Sequence, residues 1–353
     1  MIRKTELENL VCGPELTIRE ALSRINTSQH LFQVVIDNQG LLLGTVTDGD
    51  VRRAILQGAS LEDPTSACMQ KQPKVGKCGE GDENRLKLRT LKGSFAFLPI
   101  VDETNRVHEI LIDETRPGRL STALIMAGGL GSRLGERTRH TPKPLLPVGD
   151  KPILGHIVDG LVQAGVDDVY IAVHYKAEQV RRFVSEREGA PTIHLLTEHE
   201  PLGTAGAISM LPPEHKGPIL VLNGDVLTQT DLIALEAFHQ RHGYDATIGV
   251  TPYKVDIPFG VIRQKADGLF DMIEEKPSLT RFVAAGVYYL SSQVTALVPP
   301  NTNIGMPDVL NSARKLNLDI GLFPIHEYWI DVGRPDDLEA ANADHQENSR
   351  NVQ

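Results

Sequence analysis

Leu124-Ile125-Met126-Ala127-Gly128-Gly129-Leu130-Gly131-Ser132-Arg133-Leu134 runs from apolar residues into three glycines, and Pro142-Lys143-Pro144-Leu145-Leu146-Pro147-Val148 follows shortly after. Ala123 to Ala127 has the length and bounding of a buried strand. Glycines at the carboxyl end of a parallel strand let the backbone approach a ligand, and successive N–H groups there can cradle phosphate. Open α/β sheets bind ligands at that end of their strands. Arg133 adds a rigid fork of donors, and Lys143 a point charge, for phosphate oxygens. Two familiar phosphate motifs do not fit. No Lys-Ser or Lys-Thr follows the last glycine, as a G-x-x-x-x-G-K-[ST] loop requires, and no acidic residue stands where a dinucleotide fold would hold a ribose. Taken alone, the glycine run is also compatible with a purely structural tight turn.

At 353 residues the chain has room for two or three domains, each burying its own core. Hydrophobic residues at 41% and charged residues at 23% place it among soluble globular proteins. No apolar run reaches the roughly 18 residues of a membrane span. The opening Met1-Ile2-Arg3-Lys4-Thr5-Glu6 lacks the apolar core of a signal peptide. Cys12, Cys68 and Cys78 are odd in number and scattered, which suits reduced thiols in the cytoplasm and not a disulfide frame or a zinc site. A net charge of −10 argues against a nucleic-acid surface. Phosphorylated substrates would then need a locally positive pocket, which Arg133 and Lys143 can supply.

The first third of the chain repeats itself. Phe32-Gln33-Val34-Val35-Ile36-Asp37-Asn38-Gln39-Gly40-Leu41-Leu42 lines up with the segment from Phe95 to Val107, and each copy reads as strand, polar turn, strand. A helical pattern precedes each: Thr17 caps Ile18, Ala21, Leu22 and Ile25 in the first, and Leu86, Leu88 and Leu91 mark the second. Asp48 to Leu56 reads as a capped amphipathic helix. A unit of roughly sixty residues repeated once implies that neither half buries its face alone. The pattern resembles a tandem pair of cystathionine-β-synthase-type (CBS) modules of α+β build, most of all in Gly44-Thr45-Val46-Thr47-Asp48-Gly49-Asp50-Val51-Arg52-Arg53. That resemblance implies that Thr47 and Asp50 meet the ribose of a regulatory adenine nucleotide, and that such pairs associate into homo-oligomers. A hydroxyl and a carboxylate three apart equally suit a plain helix cap. The second copy reads Glu109-Ile110-Leu111-Ile112-Asp113-Glu114-Thr115 where Thr-x-x-Asp should recur, so at most one nucleotide site is expected. The domains are accordingly drawn as a first repeat over 1–60 and a degenerate second over 61–118. Arg116-Pro117-Gly118-Arg119 is the breaker before a third domain over 119–345, and a disordered tail is expected over 346–353.

Strand and helix patterns then alternate. A helix opens at Pro152 and ends at Gly165, a strand covers Asp168 to His174, and a helix Ala177 to Glu188. A strand over Thr192 to Leu196, a short helix over Gly203 to Leu211 and a strand over Ile219 to Leu222 follow. Alternation of this kind implies βαβ crossovers and a mostly parallel sheet covered on both faces. Asp245 to Tyr253, Gly260 to Gln264 and Gly268 to Glu275 read as strands of a mixed extension.

Gly-Gly-x-Gly-Ser-Arg-Leu joined to Pro-Lys-Pro-Leu-Leu-Pro-Val resembles the opening of the sugar-1-phosphate nucleotidylyltransferases, whose α/β domain is a Rossmann-like, GT-A-like fold. The resemblance implies that Ala127, Gly128, Gly129, Gly131 and Ser132 hold the nucleotide's phosphates. Leu196-Thr197-Glu198-His199-Glu200-Pro201-Leu202-Gly203-Thr204 would hold its base, through Glu198, Gly203 and Thr204. A carboxylate only accepts, so Glu198 would complement the N1–H and exocyclic amine of guanine, whereas thymine or uracil would favour an amide. A glutamate before a turn is also an ordinary surface residue. Leu220-Val221-Leu222-Asn223-Gly224-Asp225 delivers Asn223 to the nucleotide and Asp225 to Mg²⁺, with Asp331 of Tyr328-Trp329-Ile330-Asp331 as the second metal ligand. Mg²⁺ favours one or two carboxylates plus substrate phosphates over an all-protein cage. Glu274-Glu275-Lys276-Pro277 would give Glu274 to the sugar hydroxyls and Lys276 to the sugar phosphate, although such a pair is usually solvated surface. Gly286 lies in the next family strand, where Ala284 replaces a frequent asparagine and leaves the sugar open.

The implied reaction joins a nucleoside triphosphate, GTP favoured, to a hexose 1-phosphate, with release of pyrophosphate. Arg133, Lys143, Asp225, Lys276 and Asp331 would carry it. Over nearly its whole length the chain is similar to bacterial CBS-containing nucleotidylyltransferases. Some of these make GDP-glucosamine for nonulosonic acids of surface glycans, which puts glucosamine 1-phosphate first and mannose or heptose 1-phosphate second. A protein that senses nucleotides without turnover would be expected to have lost the acidic pair or the basic residues, yet all five are present.

Overall fold

Ala123, Leu124 and Ile125 are wholly buried, as only a strand covered on both faces can be. They belong to the strand Thr122–Met126, which pairs in parallel with Asp168–Val173 on one side and Ile219–Asn223 on the other. The chain is a computed structural model that describes residues 2–4, 7–28, 30–91, 96–113, 120–187 and 191–351. The breaker segment 116–119 lies outside these.

The central sheet runs in the order Thr192–Thr197, Asp168–Val173, Thr122–Met126, Ile219–Asn223, Ser278–Leu290, Ala246–Asp256, Ile320–Pro324. All its strands are parallel except Ser278–Leu290, which runs antiparallel to both neighbours. Alternate side chains feed opposite layers. Ala123 and Ile125 join Ile153, Leu154 and Ile157 of helix Ile153–Gln163, and Leu235 and Phe238 of helix Leu232–His242. Leu124 joins Val309 and Leu310 of helix Met306–Lys315 on the other face. Helix Ile153–Gln163 starts after Pro152 and stops before Gly165, which takes a left-handed φ of 77°.

The mixed extension also forms. The far halves of Ala246–Asp256 and Ser278–Leu290 leave the core and carry the hairpin Val261–Gln264/Phe270–Glu274. This arm leaves Phe259, Ile262, Leu269, Phe270 and Ile273 more than half exposed.

The repeat in the N-terminal third is reproduced in space. Val11–Cys12, Phe32–Ile36 and Leu42–Thr47 form one sheet, and Gly76–Lys77, Ala96–Val101 and Val107–Asp113 repeat its parallel-then-antiparallel pairing in another. The polar turns match atom for atom. Asp37 accepts from the backbone N–H of Gln39 and Leu41, and Asp102 from those of Thr104 and Arg106. Phe32 and Phe97 stack face to face, with centroids 3.7 Å apart, where the halves meet.

Four expectations need correction. Ile2–Lys4, assigned to the first repeat, pairs with Val107–Asp113 of the second, an exchange between halves that carries no local signal. The expected helix over 203–211 is a 3-10 turn, Gly206–Met210, because Gly203 at φ 77° and the contact of Gly206 with the Thr302 carbonyl hold the backbone tight. Helix Ala177–Ser185 stops short of Glu188. The expected disordered tail over 346–353 is helical as far as it is described: helix Pro335–Asn351 runs into it, with no glycine or proline after its first residue to break it, and residues 352–353 lie outside the described residues.

Glu236 sits in helix Leu232–His242 and is buried, accepting from the Tyr289 hydroxyl at 3.1 Å and the Gln240 amide at 3.0 Å. Burial pushes its carboxyl up from 4.5 to about 7, against the pull of the Tyr289 hydrogen bond. The folded chain therefore holds this proton more tightly than the unfolded one. Its contribution is present in full below the unfolded value and is lost as pH rises through about 7. Glu236→Gln is expected to match the parent near pH 4–5 and exceed it by about 3 kcal/mol near pH 8, as read from urea unfolding.

Candidate active site

Two loops leave the same edge of the sheet where the strand order reverses. Met126 pairs with Asn223, and the Gly224 N–H donates to the Met126 carbonyl at 2.9 Å. The glycine loop and the Asn223-Gly224-Asp225 corner therefore emerge side by side, at the position where open α/β sheets hold ligands. Gly224 must lack a side chain here, since a Cβ would stand 2.8 Å from the Met126 carbonyl.

The loop is shaped by its glycines and by a residue that the sequence did not single out. Gly131 takes φ 64°, and the Thr138 hydroxyl donates to its carbonyl at 3.0 Å. Gly129 is exposed, with open space where a side chain would be, and Gly128 is half-buried. Ser132 and Arg133 form an exposed 3-10 turn. Ala127 is buried and its N–H donates to the Ala172 carbonyl, so its backbone serves the sheet.

Lys143 is buried, and its ammonium lies 2.5 Å from Asp225 and 3.9 Å from Asp331. Asp331 arrives on the strand Trp329–Asp331, paired antiparallel with Val226–Thr228 so that Val226 faces Asp331. The Val332 N–H closes the corner on the Asp225 carbonyl at 3.0 Å. Burial and the Asp225 charge push the Asp331 carboxyl up, while Lys143 and Arg133 draw it back. The two aspartates thus share one cationic partner, with the Arg133 charge close by. Their donor set, two hard carboxylate oxygens beside a phosphate-type loop, fits Mg²⁺. Among the described residues no group of three or more His, Cys, Asp or Glu side chains could form an all-protein cage.

Glu198 is 5% exposed. One carboxylate oxygen accepts from the Leu202 N–H at 3.0 Å, and the other has no partner. The carboxylate lies against the glycine loop: a Cβ at Gly128 would stand 2.9 Å from the unpartnered oxygen. Asn223 presents a second unpartnered buried oxygen, and its amide nitrogen packs on Gly286, which takes φ 71°. Gly203 is pressed against the Ile304 carbonyl, and the Thr204 hydroxyl accepts from the Met306 N–H at 2.9 Å, which ties this segment to the start of helix Met306–Lys315.

Glu274 and Lys276 stand apart from this cluster. Glu274 accepts from Arg263 across the arm hairpin at 2.6 Å, and Lys276 is exposed with a left-handed φ of 46°. No hydrogen bond or ion pair among the described residues joins either to the acidic pair. Thr47 and Asp50 lie in the other module and close a capping box on helix Asp48–Leu56, with the Thr47 hydroxyl donating to Asp50 at 2.6 Å.

Residues 122–348 match the family model described as nucleotidyl transferase, and residues 5–57 match that of the CBS domain. The chain belongs to the nucleotidyl transferase family. Among curated relatives, mannose-1-phosphate guanyltransferase of Schizosaccharomyces pombe is 34% identical over 225 residues, covering 61% of this chain and 61% of that one. The Pichia angusta protein of the same name is 36% identical over 231 residues, again covering 61% of each chain. The chain thus spans about three fifths of the length of these relatives. Among solved structures, HddC from Yersinia pseudotuberculosis complexed with GMP-PN is 25% identical with a TM-score of 0.51, over 64% of this chain and 99% of that one. A putative glucose-1-phosphate thymidylyltransferase from Bacillus anthracis, solved in complex with a sucrose, is 26% identical with a TM-score of 0.51, over 63% and 94%. The transferase fold with its mostly parallel sheet, and the CBS domain before it, are as the sequence implied.

The glycines of the cleft differ in what they tolerate. Gly286→Ala would force a side chain into a left-handed backbone and to 2.7 Å from the Asn223 amide nitrogen. We expect it to lose about 1–3 kcal/mol in urea unfolding. Gly129→Ala, which meets nothing within 4 Å, is expected to stay within about 0.5 kcal/mol of the parent.

Proposed function

We propose that the protein is a sugar-1-phosphate guanylyltransferase, converting GTP and a hexose 1-phosphate into a GDP-sugar and pyrophosphate. The observation that carries the choice of base is the buried Glu198 carboxylate, with an unpartnered oxygen packed against Gly128 of the phosphate loop. An acceptor held there complements the donor edge of guanine and leaves uracil or thymine unmatched. The relatives named as mannose-1-phosphate guanyltransferases and the neighbour solved with GMP-PN support the same base.

In this reading an ionised oxygen of the sugar phosphate attacks the α-phosphorus in line with the departing pyrophosphate, and no protein nucleophile is needed. Catalysis is positioning plus neutralisation of charge. The loop Gly128 to Ser132 and Arg133 bind the pyrophosphate portion. Lys143 neutralises the phosphates nearer the reacting centre. Asp225 and Asp331 hold Mg²⁺, which when bound supplies a Lewis acid and a template for the phosphate oxygens. Lys276 and Glu274 keep the sugar-phosphate and sugar-hydroxyl roles that the family resemblance implies.

For the sugar, the curated relatives favour mannose 1-phosphate. Glucosamine 1-phosphate, put first on the sequence alone, becomes the second reading; what supports it is the resemblance to CBS-containing transferases, since the mannose relatives match about three fifths of this chain and residues 5–57 match the CBS domain. Pyrophosphate release from four nucleoside triphosphates, each against mannose, glucosamine and heptose 1-phosphates, decides both questions. We expect GTP to be preferred; release from UTP or dTTP alone would overturn the assignment of the base. Asp225→Ala and Arg133→Ala are each expected to cost on the order of 10²–10³ in rate while leaving the circular dichroism spectrum unchanged. Glu198→Gln is expected to lower kcat/KM for GTP by about 10- to 100-fold and to narrow its margin over UTP.

A further inference from the structure

The segment Phe323 to Tyr328 carries the chain from the edge strand Ile320–Pro324 of the central sheet to the strand that bears Asp331. Its start is held by the sheet, where the Ile325 N–H donates to the Val250 carbonyl at 2.7 Å. Its end is held at the Tyr328 carbonyl, which accepts from the Gln229 N–H at 2.9 Å and the Thr228 hydroxyl at 3.1 Å. His326 and Glu327, between these points, belong to no helix or strand. What grips them comes from the other domain.

Arg52, in helix Asp48–Leu56 of the CBS domain, is wholly buried and brings its guanidinium into this corner. Its Nε donates to Asp48 at 2.6 Å, one Nη donates to the Pro324 carbonyl and lies 3.2 Å from His326 Nδ1, and the other donates to Glu327 at 3.0 Å. The group also stacks 3.7 Å over Phe323. All three nitrogens are engaged, each toward a different partner, which a planar fork can do and a lysine ammonium cannot. Burial opposes the charge on Glu327, yet the Arg52 charge outweighs it and holds that carboxyl below its ordinary value. Asp231, which caps helix Leu232–His242, is a third carboxylate that feels the same cation.

The other polar contacts from this helix region land elsewhere. Arg53 is hydrogen-bonded to His242 at 2.9 Å, and Arg241 donates to the Thr47 hydroxyl at 3.1 Å. Both meet the last turn of helix Leu232–His242, and neither contact involves the segment before Asp331.

We propose that Arg52 is a positioning residue for the acidic pair: it fixes His326 and Glu327, and through them the strand Trp329–Asp331, so that the Asp331 carboxylate stays beside Asp225. The CBS domain thereby completes the transferase cleft through a packing contact, without any ligand of its own. What Asp331 does rests on the guanylyltransferase reading; where it is held does not.

Trp329 is the single tryptophan of the chain, opens the strand that ends in Asp331, and donates its indole N–H to the Ala285 carbonyl at 2.8 Å. Its fluorescence in the full chain therefore reads the placement of that strand without turnover. Arg52→Ala would strand the buried carboxylates of Asp48 and Glu327 and endanger the fold. Arg52→Lys keeps the charge and loses the fork, and Glu327→Gln keeps the shape of the corner with Arg52 still paired to Asp48. Arg53→Ala controls for a merely loosened interface. Below each variant's melting temperature, Arg52→Lys and Glu327→Gln are expected to shift Trp329 emission to the red and to raise its quenching by acrylamide, while Arg53→Ala matches the parent. In pyrophosphate release, Arg52→Lys is expected to lower kcat about 10- to 100-fold and to keep KM for GTP within about 2-fold, since the glycine loop and Glu198 lie off the displaced segment. Parent-like emission in both Arg52→Lys and Glu327→Gln, an equal red shift in Arg53→Ala, or a raised KM at unchanged kcat would each overturn the proposal. A parent chain that releases no pyrophosphate would sink the guanylyltransferase reading, and the fluorescence then decides the role of Arg52 alone.

Discussion

Lys143 places one buried ammonium between Asp225 and Asp331, and the rest of the cleft depends on that contact. Two carboxylates this close repel, and burial raises the cost of ionising both, as the upward push on Asp331 records. The cation makes the arrangement tolerable. Each of the three side chains comes from a different part of the chain, so the contact exists only if the parallel sheet is assembled and the strand Trp329–Asp331 is paired with Val226–Thr228.

The sheet order follows from the same need. Placing Ile219–Asn223 beside Thr122–Met126 brings the acidic corner next to the glycine loop. The antiparallel strand Ser278–Leu290 joins Gly286 in the core to the exposed arm. The residues to which the proposed function gives base and phosphate thereby sit in the packed part of the molecule. The elements that the family resemblance assigns to the sugar sit on the part with the least apolar cover. That division matches the sequence, in which the loop motif was specific and the sugar contacts were not.

Much of the fold was legible because its signals are local. A run of apolar residues ending in glycine marks a buried strand, and the turns at Asp37 and Asp102 carry the repeat in their own side-chain hydrogen bonds. The convergence of Asp225 and Asp331 followed from motif likeness, not from periodicity. What escaped was non-local. Arg52 reads as one more charge on an amphipathic helix, yet its partners Pro324 and Glu327 lie far along the chain. Thr138 and Arg241 are ordinary polar residues of short helical segments until the fold brings Gly131 and Thr47 against them. The exchange of Ile2–Lys4 into the second repeat's sheet was invisible for the same reason.

The packing of Gly128 on Glu198 has an evolutionary corollary. A methyl group on Gly128 would stand 2.9 Å from the Glu198 carboxylate, so under the proposed function the loop assigned to phosphate and the acid assigned to the base constrain one another. A lineage switching to another nucleobase would have to alter the acid while keeping the loop bare, or move both at once. On the exposed arm, which the family resemblance assigns to the sugar, a substitution meets less packing and is freer to vary on its own.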